Sequence, residues 1–144
     1  MQLTRYTDYA LRVLLYVGNA QPRKVTIAEI ANFYDISHEH LRKVVHHLGN
    51  SEMVTTSRGK GGGLVLARPA HQINIAQVVQ EMEGDLAIVD CAGRECILIG
   101  HCSLKNALMQ AQRAFLQTLQ RHTLADLLAS TKLRGRFKQA LAAA

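Results

Sequence analysis

The three cysteines of this 144-residue chain lie close together in the sequence. Four residues separate Cys91 from Cys96, five separate Cys96 from Cys102, and no other cysteine occurs. Residues 85–102 show no helical or strand period, and Gly93 and Gly100 allow this segment to fold as a loop around a central ion. Because thiolates at three points of a loop can bind zinc or an iron–sulfur cluster, the spacing predicts a metal site.

Between the two metals, the spacing favours iron. Zinc sites usually contain short C-x2-C pairs, which are absent here, whereas wider spacing suits the longer edges of a cluster. Cys102 also stands directly before a predicted helix, whose N-terminal dipole favours a thiolate. Two alternatives stay open: a bound zinc ion, and cysteines that act as a metal-free thiol switch or are inert. An odd number of cysteines excludes a closed set of disulfides.

An iron–sulfur cluster usually takes four protein ligands, so the fourth ligand must be something other than a cysteine of this chain. Nitrogen and oxygen candidates in the sequence are Asp8, Asp90, Glu95 and His101. A non-thiolate ligand is more easily displaced, which leaves one iron accessible to a small reactant such as nitric oxide or oxygen. The cysteines therefore predict a sensor rather than an electron carrier, with a 2Fe–2S or a 4Fe–4S cluster equally compatible with the spacing.

The N-terminal residues that must position such a sensor predict a winged helix-turn-helix. Residues 3–18 have the apolar period of a helix, which Asn19 to Pro22 should end. A capping box at Thr26 and Glu29 begins a short helix that ends near Tyr34. After a tight turn, residues 38–49 form the second helix of the motif. Residues 53–57 and 64–67 are β-prone and flank a glycine-rich turn, so they predict a hairpin that forms the wing.

The predicted second helix and the hairpin tip carry side chains suited to DNA. Leu41, Val44, Val45 and Leu48 should face the core, and the other face shows His38, His40, Arg42, Lys43, His46 and His47. An α-helix fits the major groove, where Arg, Lys, Ser and His side chains bond to bases or phosphates. The residues predicted to contact a double-stranded DNA operator are Ser37, His38, His40, Arg42, Lys43, Arg58 and Lys60.

The composition agrees with a nucleic-acid partner. The net charge is +6, and residues 1–70 carry nine basic against five acidic side chains. The hydrophobic fraction of 48% excludes global disorder, and no apolar run is long enough to span a membrane. Asp8 and Arg12 interrupt the N-terminal apolar pattern, which excludes a secretion signal and predicts a cytoplasmic protein. Paired carboxylates, a nucleophile–base motif and a cofactor loop are absent, so no enzyme is expected.

The remaining residues predict a linking helix, a long helix and a basic tail. Asn74 should cap a helix that ends at Gly84, and a helix from Ser103 to about Arg121 carries an apolar stripe suited to packing in a dimer. Thr123 begins a short helix to Ser130, and residues 132–144 are basic. The fold expected is mainly α with a small β-hairpin wing. Its parts are a DNA-binding domain over 1–72, a linking helix and cysteine loop over 73–102, and a dimerisation helix and C-terminal tail over 103–144.

The chain resembles the Rrf-type winged-helix regulators, and within them a nitric-oxide-sensitive group. The shared features are M-Q-L-T-x-x-T-D-Y-A-x-R at residues 1–12, R-G-K-G-G-G-L-x-L-A at residues 58–67, and a three-cysteine loop before a long helix. A sister group of cluster-assembly regulators carries a histidine three residues after the last cysteine, where this chain has Lys105. The resemblance thus favours the nitric-oxide-sensitive group.

This resemblance implies a homodimeric repressor that binds a palindromic operator while its iron–sulfur cluster is intact. Nitric oxide would attack the cluster and lower the affinity for DNA. The resemblance also implies that Cys91, Cys96 and Cys102 are the cluster ligands. Asp8 matches a position in the first helix that supplies the fourth ligand from the partner subunit.

Overall fold

The structure, a computed structural model, describes residues 2–89, 91, 96–98 and 100–142. The helices are α1 (Arg5–Ala20), α2 (Ile27–Tyr34), α3 (His38–Asn50), α4 (Ile75–Glu83), α5 (Ser103–Gln120), α6 (Leu124–Leu128) and α7 (Thr131–Ala142). Strands β1 (Val54–Ser57) and β2 (Gly63–Leu66) follow α3, and a 3-10 turn over Ala70–Gln72 precedes α4. The predicted fold class, mainly α with a β-hairpin wing, is confirmed. No helix among the described residues is long and apolar enough to cross a membrane.

Helix α1 lies at the centre of the hydrophobic core. Its residues Ala10, Val13, Leu14 and Val17 are fully buried, and the helix contacts α3, α4, α6 and β2. The Thr4 side chain caps α1 by accepting a hydrogen bond from the Thr7 backbone N–H. The helix begins and ends two residues later than the predicted 3–18, and it ends at Ala20, within the break predicted over Asn19 to Pro22.

The helix-turn-helix forms as its capping and apolar pattern predict. In the capping box of α2, the Thr26 side chain bonds to the Glu29 backbone and the Glu29 carboxylate bonds back to Thr26. Burial alone would raise the pKa of Glu29, but its hydrogen bonds to Thr26 and Arg23 outweigh it and lower that pKa. In α3, the predicted core residues are all buried. Ser37 occupies the N-cap position of α3, but its side chain makes no capping hydrogen bond, contrary to expectation.

The hairpin forms a wing that is tied to the helical domain. Strands β1 and β2 are antiparallel, with Val54 opposite Leu66, and Val25 adds a bridge to Leu64. The turn needs glycine at position 62, because a Cβ atom there would overlap the Ser57 carbonyl oxygen. The wing tip therefore has a fixed, tight backbone.

Helix α5 is long but has no buried residue. It contacts α4, whose predicted core residues Ile75, Val78, Val79 and Met82 are buried. Leu108, Phe115 and Leu119 are half-buried. The neighbouring stripe of the helix is exposed, and it consists of Leu104, Ala107, Ala111 and Ala114, with Leu104 64% accessible. An 18-residue helix that leaves its apolar stripe open needs another surface to cover it.

The C-terminal residues form a packed helix rather than the predicted basic tail. Phe137 is only 5% exposed, and its ring stacks on Phe33 at a centroid distance of 5.1 Å and meets the edge of Tyr16. Leu133 packs against the same core one helical turn earlier. The preceding short helix ends at Leu128, before the predicted Ser130.

Phe137→Ala should lower the free energy of unfolding by about 3 kcal/mol, because it removes a buried ring and leaves a cavity beside Phe33. Urea denaturation followed by circular dichroism measures this change. Gln139→Ala, on the exposed surface of the same helix, is the matched control and should change stability little. Equal midpoints for the two variants would show that α7 does not contribute to the core.

Candidate metal centre and nucleic-acid interface

The cysteine segment lies between α4 and the start of α5. Cys91 is half-buried and lines a cavity of about 300 Å³, together with Asp85, Lys105 and Met109. Cys102 is half-buried at the N-cap of α5, where its sulfur accepts a hydrogen bond from the Lys105 backbone N–H at 3.4 Å. Cys96 is exposed, and all three side chains are free thiols. The segment thus presents sulfur atoms beside a cavity and at a helix N-terminus.

The chemistry of these donors fits an iron–sulfur cluster. The Lys105 backbone N–H at the start of α5 donates a hydrogen bond to Cys102 Sγ, and half-buried Cys91 lines a cavity. In the described part of the chain, however, no three His, Cys, Asp or Glu side chains lie together as a metal site. Asp90 and Glu95, two candidates for the fourth ligand, lie outside the described residues, and His101 is exposed.

Asp8 lies on α1 and forms an ion pair with Arg12. The Arg12 Nε atom is 3.0 Å from the Asp8 carboxylate, and the Asp8 side chain is 45% exposed. The Arg12 guanidinium also lies 5.5 Å above the ring of Tyr34, and burial raises the pKa of Tyr34 to about 12. Asp8 is therefore a half-exposed carboxylate that another chain can approach, but it is part of an existing ion pair.

The DNA contacts predicted on and beside α3 lie on three sides of this helix. Arg42 and Lys43 are exposed on the side opposite the core. His38 lies beside the wing, where it lines a cavity with Thr26, Ser57 and Gly59, and Ser37 is exposed just before the helix. His40 lies on the other flank, with its ring 6.4 Å from that of Tyr9. The helix therefore offers an outward face between two flanks.

Glu39 was missed by the sequence prediction. It is exposed on the outward face of α3 and forms an ion pair with Arg42 at 3.3 Å. A carboxylate at this position can accept a hydrogen bond from the amino group of cytosine. Its place in the sequence between His38 and His40 was the signal for this position.

The wing tip carries Arg58 and Lys60, both exposed in the turn between β1 and β2. Lys24 approaches the base of the wing, where its Nζ atom donates a hydrogen bond to Ser57 Oγ at 3.1 Å. These cations lie on the His38 flank of α3. The wing therefore borders the His38 flank of α3.

A polar network joins the end of α4 to α3, and the sequence did not predict it. Glu81 accepts a hydrogen bond from Ser51 Oγ at 2.9 Å and lies 3.5 Å from His47 Nε2. Tyr6 Oη donates to the Lys43 carbonyl oxygen at 3.1 Å and lies 3.3 Å from His47 Nδ1. The prediction that His47 belongs to the exposed face is thus corrected: it is half-buried and held between α1 and α4.

Glu83, the last residue of α4, joins this helix to the start of α1. Its Oε1 atom accepts hydrogen bonds from the Thr4 backbone N–H at 2.7 Å and from the Thr4 hydroxyl at 3.0 Å. Burial alone would raise the pKa of Glu83, but hydrogen bonds from Thr7 and Thr4 outweigh it and lower that pKa. The residue before Gly84 and the cysteine loop is therefore a carboxylate bonded to the N-terminal end of α1.

Comparison with known proteins places this geometry in a family. The family model Rrf2, described as an iron-dependent transcriptional regulator, matches residues 3–130. The chain is similar to the HTH-type transcriptional regulator NsrR of Oceanobacillus iheyensis, with 43% identity over 89% of the chain and 90% of that protein. It is also similar to NsrR of Geobacillus kaustophilus, with 46% identity over the same shares of the two proteins.

Solved structures share the fold at lower identity. CymR of B. subtilis, described as the global cysteine regulator, has a TM-score of 0.74 at 21% identity and covers 90% of this chain and 97% of its own. IscR of T. potens has a TM-score of 0.70 at 20% identity, covering 89% of this chain and 86% of its own. The relatives are transcriptional regulators, which confirms the prediction that the chain is not an enzyme. The chain belongs to the Rrf2 family of transcriptional regulators.

Proposed function

We propose that this regulator is a DNA-binding repressor whose affinity for a palindromic operator depends on an iron–sulfur cluster that reacts with nitric oxide. The observation that carries the proposal is the position of the cysteine loop. The loop connects α4, whose last residues bond to the reading domain, with α5, whose apolar stripe is open. The similarity to NsrR proteins and the iron-dependent description of the family support the same assignment.

Cys91, Cys96 and Cys102 would hold the cluster, with Asp8 of a partner subunit as the fourth ligand. The cluster, when bound, supplies an iron site that reacts with nitric oxide. Cys102 would offer its sulfur from the α5 N-terminus, where it accepts the Lys105 hydrogen bond, and Cys91 would offer its sulfur from the cavity that it lines. Asp8 would exchange its ion pair with Arg12 for this role. Because a carboxylate is the least firmly held of these ligands, its position is the natural point of attack.

The end of α4 supplies a physical connection from this loop to the DNA-reading surface. Glu81 contacts the C-terminal end of α3 through His47 and Ser51, and Glu83 contacts the N-terminus of α1. A shift of the loop that moves these two carboxylates changes the position of both helices. Coupling of this kind is typically worth about 1–3 kcal/mol, a change in affinity of roughly 5–150-fold.

Dimerisation would use the exposed stripe of α5. Leu104, Ala107, Ala111 and Ala114 recur at helical spacing, and all are exposed. Small side chains at three of these positions allow a second helix to approach closely. A dimer presents two α3 helices to half-sites about 34 Å apart, or a multiple of that, which accounts for a palindromic operator. In this proposal residues 1–72 read DNA, residues 73–102 hold the cluster, and residues 103–144 comprise the dimerisation helix α5 and a C-terminal part that packs on the core.

In each reading domain the proposed DNA contacts are those on α3 and the wing. Arg42 and Lys43 would reach bases or phosphates from the outward face, with Ser37, His38 and His40 beside them. Arg58 and Lys60 would contact phosphates from the wing tip. Their exposure and their common side of the domain support this assignment.

A second candidate is a regulator of the same fold that uses zinc or a metal-free thiol switch. Exposed Cys96, with two half-buried cysteines in the same segment, favours this candidate as a redox-active thiol. The two candidates differ in colour, because thiolate–iron sites absorb visible light and zinc sites do not.

The test is purification without oxygen, followed by a visible spectrum, iron analysis and an operator gel shift before and after nitric oxide. We expect a coloured, iron-containing protein whose operator affinity falls roughly 5–150-fold after nitric oxide. Colourless protein that binds the operator equally well with and without nitric oxide would contradict the proposal. Colourless protein whose affinity responds to a thiol oxidant would establish the second candidate.

A further inference from the structure

We infer that the cleft between α1 and α3 binds a backbone phosphate of the DNA that α3 reads, an inference that rests on the proposed function. The cleft has a volume of about 280 Å³, and its lining is made of cationic and aromatic side chains: Arg5, Tyr6, Tyr9, His40 and Lys43. Arg5, Tyr6 and Tyr9 belong to α1, outside the helix-turn-helix and the wing. They would extend the DNA-binding surface onto a third element.

Specific contacts between α1 and α3 form the cleft. The Tyr6 hydroxyl donates a hydrogen bond to the Lys43 carbonyl oxygen at 3.1 Å, which fixes α1 against the middle of α3. The Tyr9 ring lies 6.4 Å from the ring of His40, one turn earlier on α3. Both tyrosines are half-buried, whereas Arg5 and Lys43 are exposed at the rim. Arg5 on α1 and Lys43 on α3 thus lie at the rim of one cleft that has an aromatic floor.

The charges around the cleft leave these two cations available. Asp8 on α1 pairs with Arg12, and Glu39 on α3 pairs with Arg42. On the neighbouring helix, Glu81 bonds to Ser51 and His47, and Glu83 bonds to Thr4. Arg5 and Lys43 form no ion pair with any acidic side chain that the structure describes. Asp8 and Glu39, the acidic residues of α1 and α3 that pair with other arginines, therefore do not compete with an anion for Arg5 or Lys43.

The position of the cleft identifies that anion. An α-helix with its side chains has about the width of the DNA major groove, so a helix lying there has one phosphate backbone on each flank. The wing lies on the His38 flank of α3, and the cleft lies on the His40 flank. The wing would therefore face one strand of the operator and the cleft the other. A phosphate contact fixes orientation and carries no sequence preference.

The test compares Arg5→Gln with the wild-type protein and with Arg121→Gln, which removes an equal charge from the end of α5. Affinities for the operator and for a random duplex are measured over a range of salt concentrations. Losing one phosphate contact in each subunit of a dimer should reduce the slope of log affinity against log salt concentration by about 1.8. The ratio of the wild-type affinity to the Arg5→Gln affinity should then fall about 12-fold between about 50 mM and about 200 mM salt.

Arg5→Gln should weaken binding to both duplexes, and Arg5→Lys should restore the salt dependence because a point charge still contacts the phosphate. Visible spectrum, oligomeric state and unfolding midpoint should match the wild type. Equal slopes for Arg5→Gln and Arg121→Gln, with specific binding by the wild type intact, would overturn the inference alone. A loss restricted to the operator would overturn it in favour of a base contact. Absence of specific binding by the wild type would instead contradict the proposed function.

Discussion

Replacing Ala111 by glutamate should convert the protein to a monomer and abolish measurable operator binding. Ala111 lies in the middle of the exposed stripe of α5, so the substitution leaves the fold of the subunit intact. In a dimer the same position faces a second helix, where a buried unpaired carboxylate is costly. A monomer also loses the gain from binding two linked half-sites, which is about 100-fold to 10,000-fold. The expected loss in operator affinity is of this size.

Sedimentation equilibrium and a gel shift on the full operator measure this result. Gln120→Glu is the matched control, because it adds the same charge to α5 at an exposed position that is not three or four residues from any member of the stripe. The control should remain dimeric and should bind DNA nearly as the wild type does. A dimeric Ala111→Glu protein with unchanged affinity would show that the stripe of α5 is not the interface between subunits.

Cys96→Ala should remove the visible colour and lower operator affinity roughly 5–150-fold, while the protein still folds and dimerises. The side chain is exposed, so its truncation has little effect on packing. It would nevertheless remove one of three proposed thiolate ligands, and the loop would lose its fixed position between α4 and α5. The mutant should also no longer respond to nitric oxide, since the reactive group is absent.

Ile97→Ala is the control for this experiment. Ile97 follows Cys96 directly and is 99% exposed, so its truncation perturbs the same segment without removing a sulfur atom. Iron content, absorbance and gel shift are measured for both variants after purification without oxygen. Tight operator binding by a colourless Cys96→Ala protein would show that the cysteines do not control DNA affinity. Loss of colour in Ile97→Ala would show that the segment, rather than its thiol, is required.

The helix-turn-helix and the wing could be predicted because local sequence chemistry determines where their helices and strands form. The capping box at Thr26 and Glu29 fixes the start of α2, and the apolar period of α3 identifies its buried residues. The residues of the wing could be assigned from the glycine-rich turn between β-prone runs. The exposed stripe of α5 likewise follows from helical spacing, although its lack of any buried residue is visible only in the fold.

The features that the sequence did not reveal depend on contacts between distant segments. His47 is part of a histidine-rich helix face, and only the approach of Tyr6 and Glu81 shows that it is half-buried between α1 and α4. Helix α7 was missed because the four basic residues after position 131 suggested a solvated tail. Leu133 and Phe137, one helical turn apart, were the signal for a buried face. The cleft between α1 and α3 similarly depends on tertiary packing.

The bonds that connect α4 to the reading domain also limit how the molecule can be divided. The partners of Glu81 and Glu83 are Thr4, His47 and Ser51, which precede these two carboxylates by at least 30 residues in the sequence. A cysteine loop transplanted into an unrelated winged helix would bring its thiols but leave those partners behind. Such a chimera could carry the chemistry of detection without any response at the DNA. In the proposed function, the response at the DNA would therefore depend on the whole architecture, and the loop alone would not transfer it.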